Sequence, residues 1–315
     1  MKSFLRGLLI AAAVSLATSL SPAVMAKKGA APAAESARKA DAGARKAKPV
    51  RRKARPARKY AQRIARMGML KSSAVLVLDA ASGKVLYQKN ARRVMPIASV
   101  TKLMTALVVL ESGLNLREKL TVSDADVDRL KYSSSRLRVG TRLSRNDMLH
   151  IALMSSENRA ASALGRHYPG GKAAFVRAMN ARARALGMKR TRFVEPTGLS
   201  SANVSSPEDL AKLTMAAQRQ PLIRRFSTDK LHVVAQGRSS TTYRNSNRLI
   251  AGGKWRIGIQ KTGYISEAGR CMVLHATVGG RAVVMVFLDA HGKFARAQDA
   301  ARVRTWLAQH AQPRS

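Results

Sequence analysis

The chain has 315 residues, 58 of them Lys or Arg against 17 Asp or Glu, for a formal charge of +41. So basic a protein is expected beside polyanions: nucleic acid, anionic lipid or an acidic wall polymer. Cys271 is the single cysteine, which excludes an internal disulfide, and the six histidines are scattered with no spaced pair, so no metal and no cofactor are expected.

Residues 1–26 read as a secretory signal peptide. Lys2 and Arg6 make a basic start, an apolar run extends from Leu8 to Ala17, and Val24-Met25-Ala26 offers a cleavage point after Ala26. A retained N-terminal anchor is the competing reading, but the run falls short of the roughly 18 apolar residues of a good membrane span. No later stretch reaches that length, so a periplasmic protein is expected, soluble or loosely envelope-associated. Export argues against nucleic acid as the working partner. Residues 27–71 hold sixteen basic and two acidic residues, a net +14, with almost no large apolar side chain. Such a segment cannot bury enough surface to offset its ordering entropy, and it reads as a disordered basic linker. Its charge suits peripheral contact with anionic envelope surfaces. Residues 72–315 still carry +25 and are long enough for one good core.

Order is expected from Ser73. Ala74 to Leu78 has a buried-strand pattern, Ala81-Ser82-Gly83 turns, and Val85-Leu86-Tyr87 returns, which predicts a β-hairpin. Leu103, Met104, Ala106, Leu107 and Leu110 recur at helical spacing between Ala98 and Gly113. Residues 114–231 are mostly helical in pattern. The runs Asn146 to Leu164 and Lys172 to Leu186 predict one helix each, and Ser206-Pro207 starts another with a cap before a proline. Strands return at Arg256 to Lys261, Arg270 to Val278 and Arg281 to Leu288, the last two joined by Gly279-Gly280, and a helix from Phe294 to Ala308 follows. Strands at both ends with helices between predict an α/β (α+β) catalytic domain over residues 72–315, with a helical subdomain inserted at about 114–231.

Three short motifs stand in order within this frame: Ser99-Val100-Thr101-Lys102, Ser156-Glu157-Asn158 and Lys261-Thr262-Gly263. Positions three apart share a helix face, so Ser99 sits at a helix start with Lys102 one turn below. Serine needs a neighbouring base, and lysine is one only when burial or a like charge lowers its pKa. Lys261, brought to the same cleft, is expected to supply that like charge. The helix N-terminus favours a developing oxyanion. A Ser156 hydroxyl across the cleft can relay a proton, and an Asn158 amide can hold both Lys102 and substrate backbone. The competing reading of Ser156 is a helix cap. Lys261 and Thr262 end an apolar strand and suit a carboxylate, while Gly263 lets another backbone come close. His150 and His167 read as packing or surface residues.

The stretch Gly83 to Tyr87 with Asn90, then Pro96 to Ala106, Pro196-Thr197-Gly198-Leu199, and Lys261-Thr262-Gly263-Tyr264 with Glu267 to Cys271 resembles the low-molecular-mass penicillin-binding proteins of the D-alanyl-D-alanine carboxypeptidase family, over about residues 72–290. Gly263-Tyr264 and Gly269-Arg270-Cys271 are most similar to its endopeptidase branch. The resemblance implies a β-lactamase/DD-peptidase-like fold, a mainly antiparallel sheet flanked by helices. It implies peptidoglycan peptides as substrates and β-lactam antibiotics as covalent inhibitors. Ser99 would form an acyl-enzyme with Lys102 as its base, and Ser156 would help protonate the departing amine. The amides of Ser99 and Tyr264 would form the oxyanion hole, and Lys261 and Thr262 would bind the carboxylate beside the scissile bond. A terminal D-alanine and a cross-link both carry that carboxylate, so the motifs leave carboxypeptidase and endopeptidase open. With about fifty residues after Lys261, the family's extra β-domain and membrane-binding tail are not expected. Two rivals stand beside this reading. A β-lactamase would use Glu195 as a deacylating carboxylate, though Thr197-Gly198-Leu199 fits the peptidase pattern better. A non-catalytic wall-binding module would explain the charge and leave the motifs unexplained.

Overall fold

In the computed structural model, residues 70–236 and 239–309 are described. The expected signal peptide and nearly all of the basic linker lie outside the described residues.

Strands β1 (Ser72–Asp79) and β2 (Val85–Lys89) make the expected hairpin. β3 (Met95–Pro96) leads into a 3-10 turn, Ala98–Thr101, which runs directly into α1 (Lys102–Glu111). The short strands β4 (Lys119–Thr121) and β5 (Arg142–Ser144) pair with each other ahead of α2 (Arg145–Met154), α3 (Asn158–Arg166) and α4 (Gly171–Ala185). β6 (Val204–Ser205) pairs with β3 and is followed by α5 (Pro207–Gln218) and α6 (Pro221–Thr228). A hairpin of β7 (Leu231–Gln236) and β8 (Ser239–Arg244) precedes α7 (Arg248–Ala251). The chain then returns to β9 (Arg256–Ile265), β10 (Gly269–Val278), β11 (Arg281–Ala290) and α8 (Ala295–Gln309).

The main sheet has the order β2-β1-β11-β10-β9, with antiparallel pairing throughout. Strand residues alternate faces, and here both faces are covered. Val75, Val77, Met285 and Phe287 pack toward Ala300, Val303 and Leu307 of α8. Ala74, Leu76, Val284 and Val286 join the larger core with α1, α2 and α5. Two-sided burial is why these strands read as unbroken apolar runs, each large side chain contributing about 1.5–3 kcal/mol of burial. The fold is the α/β arrangement expected. Within the inserted segment, α5 packs directly on β1, β10 and β11, so that segment also roofs the sheet.

The pattern from Asn146 to Leu164 predicts one helix, and the chain makes two. Ser156 adopts a left-handed φ of +67°, which ends the helical path after α2. The cap of α3 is Glu157, whose carboxylate accepts from the Arg159 amide at 3.2 Å; Ser156 is left for another role. His150 packs between the rings of Phe226 and His232, centroids 4.3 and 3.9 Å away, as a packing residue.

Candidate active site

β9 is an edge of the main sheet, and the Ala98–Thr101 turn lies against it. Two glycines allow the contact. A Cβ on Gly263 would sit 3.0 Å from Ala98 Cβ, Ile97 O and Ser99 N. A Cβ on Gly198, whose φ is +83°, would sit 2.0 Å from Ala98 O. The turn is therefore clasped between β9 and the 195–200 loop. Ala98 itself is held at φ +47°, a strained value for a residue with a side chain, immediately before Ser99. The close approach expected at Gly263 is thus made by the protein's own backbone at Ser99.

Lys102, one turn on, is buried beneath Ser99 because α1 runs through the core, with Leu103, Met104, Ala106 and Leu107 wholly inaccessible. Its Nζ lies 2.9 Å from Ser99 Oγ, 2.7 Å from Asn158 Oδ1 and 2.6 Å from Thr197 O. Burial lowers its pKa to about 8, against the opposing pull of Glu195, Glu157 and Asp128. Lys261 is also buried, with Nζ 2.9 Å from Ser156 Oγ and 2.8 Å from Thr262 O. Its pKa falls well below the ordinary lysine value, through burial first and then through Lys102 and Arg296. Desolvation is the leading cause at both lysines, and the expected like-charge coupling between Lys102 and Lys261 is present, felt at Lys261.

Thr262 Oγ1 lies 2.8 Å from Ser246 Oγ. Tyr264, on the outer end of β9, is 56% exposed with the Arg270 guanidinium 4.5 Å from its ring. Two Ser–Lys pairs thus face one cleft: a half-buried nucleophile candidate on one side, a second hydroxyl on the other, and an open sheet edge alongside.

A sequence profile described as D-alanyl-D-alanine carboxypeptidase, peptidase S11, matches residues 61–292. The chain belongs to this family of serine peptidases. It is 50% identical over 240 residues to the D-alanyl-D-alanine endopeptidase of Pseudomonas aeruginosa, covering 76% of this chain and 77% of that one. It is 45% identical over 240 residues, with the same coverage, to the D-alanyl-D-alanine endopeptidase of Escherichia coli K12. Among solved structures, the Streptomyces K15 DD-transpeptidase is similar with a TM-score of 0.70 at 30% identity, over 75% of this chain and 97% of that one. The fold is that of the DD-peptidases.

Of the eight sequence-derived positions of this S11 peptidase, Ser99, Lys102, Ser156, Asn158, Lys261, Thr262 and Gly263 are brought together by these contacts, and Tyr264 follows them on β9. The supports behind them were not legible. Asn158 Nδ2 donates to Ser133 Oγ at 2.8 Å, and Ser133 donates to Asp128 at 2.6 Å, so a remote loop orients the amide that holds Lys102. Glu195 is a bracket: its oxygens accept from the Thr197 amide (2.6 Å), Gly198 amide (2.7 Å) and Asn203 Nδ2 (2.8 Å), shaping the loop whose Thr197 carbonyl meets Lys102. That use of both oxygens counts against a deacylating role. Arg296 Nη1 donates to the cross-strand carbonyls of Gly263 at 2.6 Å and Cys271 at 3.1 Å. Cys271 is buried, and burial pushes its thiol up to about 12, so it stays protonated and inert.

Proposed function

We propose that the protein is an exported D-alanyl-D-alanine endopeptidase that opens peptidoglycan cross-links through an acyl-enzyme on Ser99. The observation that carries this is the Lys102 ammonium site: buried, 2.9 Å from Ser99 Oγ, with its pKa brought down to about 8. A neutral Lys102 takes the Ser99 proton as Oγ attacks the D-alanyl carbonyl. The amides of Ser99 and Tyr264 receive the oxyanion. Ser156, next to Lys261, relays the proton taken by Lys102 to the departing amine, so the C–N bond breaks with Ser156 again a hydroxyl and Lys102 again neutral. Water then attacks the ester, Lys102 accepts its proton, and Ser99 is released with the acid. Lys261 and Thr262 bind the carboxylate beside the scissile bond, and the donor peptide lies along β9 as an added strand. β-Lactams, which mimic that peptide, acylate the same serine.

The endopeptidase reading is supported by the two relatives at 50% and 45% identity that bear that name. Digestion of purified muropeptides with separation by mass tests it. Conversion of cross-linked dimers to monomers is expected; loss of D-alanine from monomers with dimers untouched would make the protein a carboxypeptidase instead. Rapid turnover of a chromogenic cephalosporin, rather than slow stoichiometric acylation, would select the β-lactamase. The periplasmic location in this reading is supported by the signal-peptide pattern of residues 1–26. The +14 linker serves loose attachment to anionic envelope surfaces. A protein starting at Ser72 should keep its rate on soluble muropeptides and lose salt-sensitive sedimentation with envelopes.

A further inference from the structure

Past the hydroxyl pair of Thr262 and Ser246, the cleft continues into a cavity of about 200 Å³. Its walls carry Arg248, Arg270, Lys293 and Arg296 and no acidic residue. Among the described residues, no carboxylate forms an ion pair with any of the four. The Lys102 side of the cleft differs: Glu195, Glu157 and Asp128 bear on Lys102. Positive charge is balanced on one side and left unbalanced on the other.

The four cations are not equivalent. Arg296 is committed to the carbonyls of Gly263 and Cys271, and Arg270 lies over Tyr264. Arg248 and Lys293 are exposed, and both lie by the Phe294 ring, 5.1 and 5.8 Å from its centroid. That ring, 46% exposed, gives two flexible stems a common wall and holds their charges at the cavity mouth. Like charges gathered without a counter-charge repel, and an incoming anion relieves that repulsion.

We propose that Arg248 and Lys293 form a subsite for a second carboxylate on the departing strand of a cross-link. The inference rests on the endopeptidase reading above. In that reading Thr262 meets the carboxylate next to the scissile bond, so the cavity beyond it lies on the departing side. A released D-alanine carries that one carboxylate and has nothing to offer a further site. The departing strand of a cross-link is a whole peptide with its own terminal carboxylate farther out. Cations beyond Thr262 therefore reward a cross-link and are indifferent to a lone D-alanine, which makes them determinants of specificity.

The test is steady-state hydrolysis of a cross-linked muropeptide dimer and a monomeric pentapeptide muropeptide by the wild type, Arg248→Gln, Lys293→Gln and the double variant. Penicillin acylation rates report that each variant is folded. The double variant should raise KM for the dimer about five- to tenfold, the scale of two exposed ion pairs, and leave kcat/KM for the monomer within about twofold. A dimer whose departing strand ends in a carboxamide should cost the wild type the same factor and the double variant nothing further. Equal losses on dimer and monomer, or no loss on either, would overturn the subsite. A wild type that trims monomers and leaves dimers intact would overturn the endopeptidase reading instead.

Discussion

The cleft contains the same chemical pair twice, in opposite electrostatic settings. Ser99 and Lys102 are 2.9 Å apart, and so are Ser156 and Lys261. Both lysines are buried and both have lowered pKa values, with desolvation as the leading cause. Around Lys102 stand Glu195, Glu157 and Asp128, with the Asn158 and Thr197 oxygens in contact. Around Lys261 the charges are Lys102 and Arg296, both positive. Carboxylates keep Lys102 near a pKa of about 8, where it gains and loses a proton at working pH. The cationic neighbours push Lys261 further toward its neutral form. Proximity of serine to lysine therefore does not assign a role; the charges around each lysine do. The backbone adds a second distinction, since Ser99 is clasped between Gly198 and Gly263 while Ser156 sits on an interhelical corner.

The comparison breaks most completely if the two serines exchange roles. Ser99→Ala should lower hydrolysis by about 10⁴-fold or more and abolish covalent penicillin labelling, as loss of a nucleophile does. Ser156→Ala should slow acylation by about 10²-fold and leave the adduct on the Ser99 peptide by mass spectrometry. An adduct on Ser156 in either protein would reverse the assignment.

The lysines come next in size. Lys102→Arg should be nearly as damaging as Lys102→Ala, about 10³-fold in acylation rate, because a guanidinium does not deprotonate. Lys261→Arg should cost about tenfold, since a cation at that position can still meet a carboxylate. Robust acylation by Lys102→Arg would reduce Lys102 to an electrostatic element.

Smallest in rate but clearest in stability is the clasp. Gly198→Ala meets both a φ of +83° and a contact 2.0 Å from Ala98 O, and should cost about 3 kcal/mol in denaturant unfolding. Gly263→Ala meets three atoms at 3.0 Å and should cost less, with slowed acylation as its main effect. Equal stability losses would mean that the turn is not held from the loop side.

The chemistry of the site is more legible in the sequence than its setting. Motif spacing carried Ser99 to Lys102, and apolar runs carried β1, β10 and β11, because both are local patterns. The break at Ser156 was invisible: Ser155-Ser156-Glu157-Asn158 is compatible with a continuing helix, and the left-handed Ser156 meets a partner, Lys261, more than 100 residues away in the chain. The close approach at Gly263 was expected, but its partner was not, since Ile97 to Ser99 lie more than 160 residues away in the chain. Glu195 drew notice as a candidate carboxylate, yet its work is to hold Thr197 and Gly198, a role set by tertiary hydrogen bonds. Burial and a like charge were both open as causes of the Lys102 shift, and that burial leads was not legible because sequence counts charges and does not show how deeply each is desolvated.

The most direct test of that last point is the pH dependence of Ser99 acylation by penicillin in the wild type and Lys261→Gln. A base with a pKa of about 8 is protonated below that pH and free above it, so the rate should climb through pH 8 and level off on the alkaline side. Lys261→Gln should lower the plateau and leave the midpoint near pH 8, because burial is the leading cause of the Lys102 shift. A rate that is flat or falling through pH 8, or a midpoint that moves up sharply in Lys261→Gln, would contradict a neutral Lys102 set by burial as the base that activates Ser99.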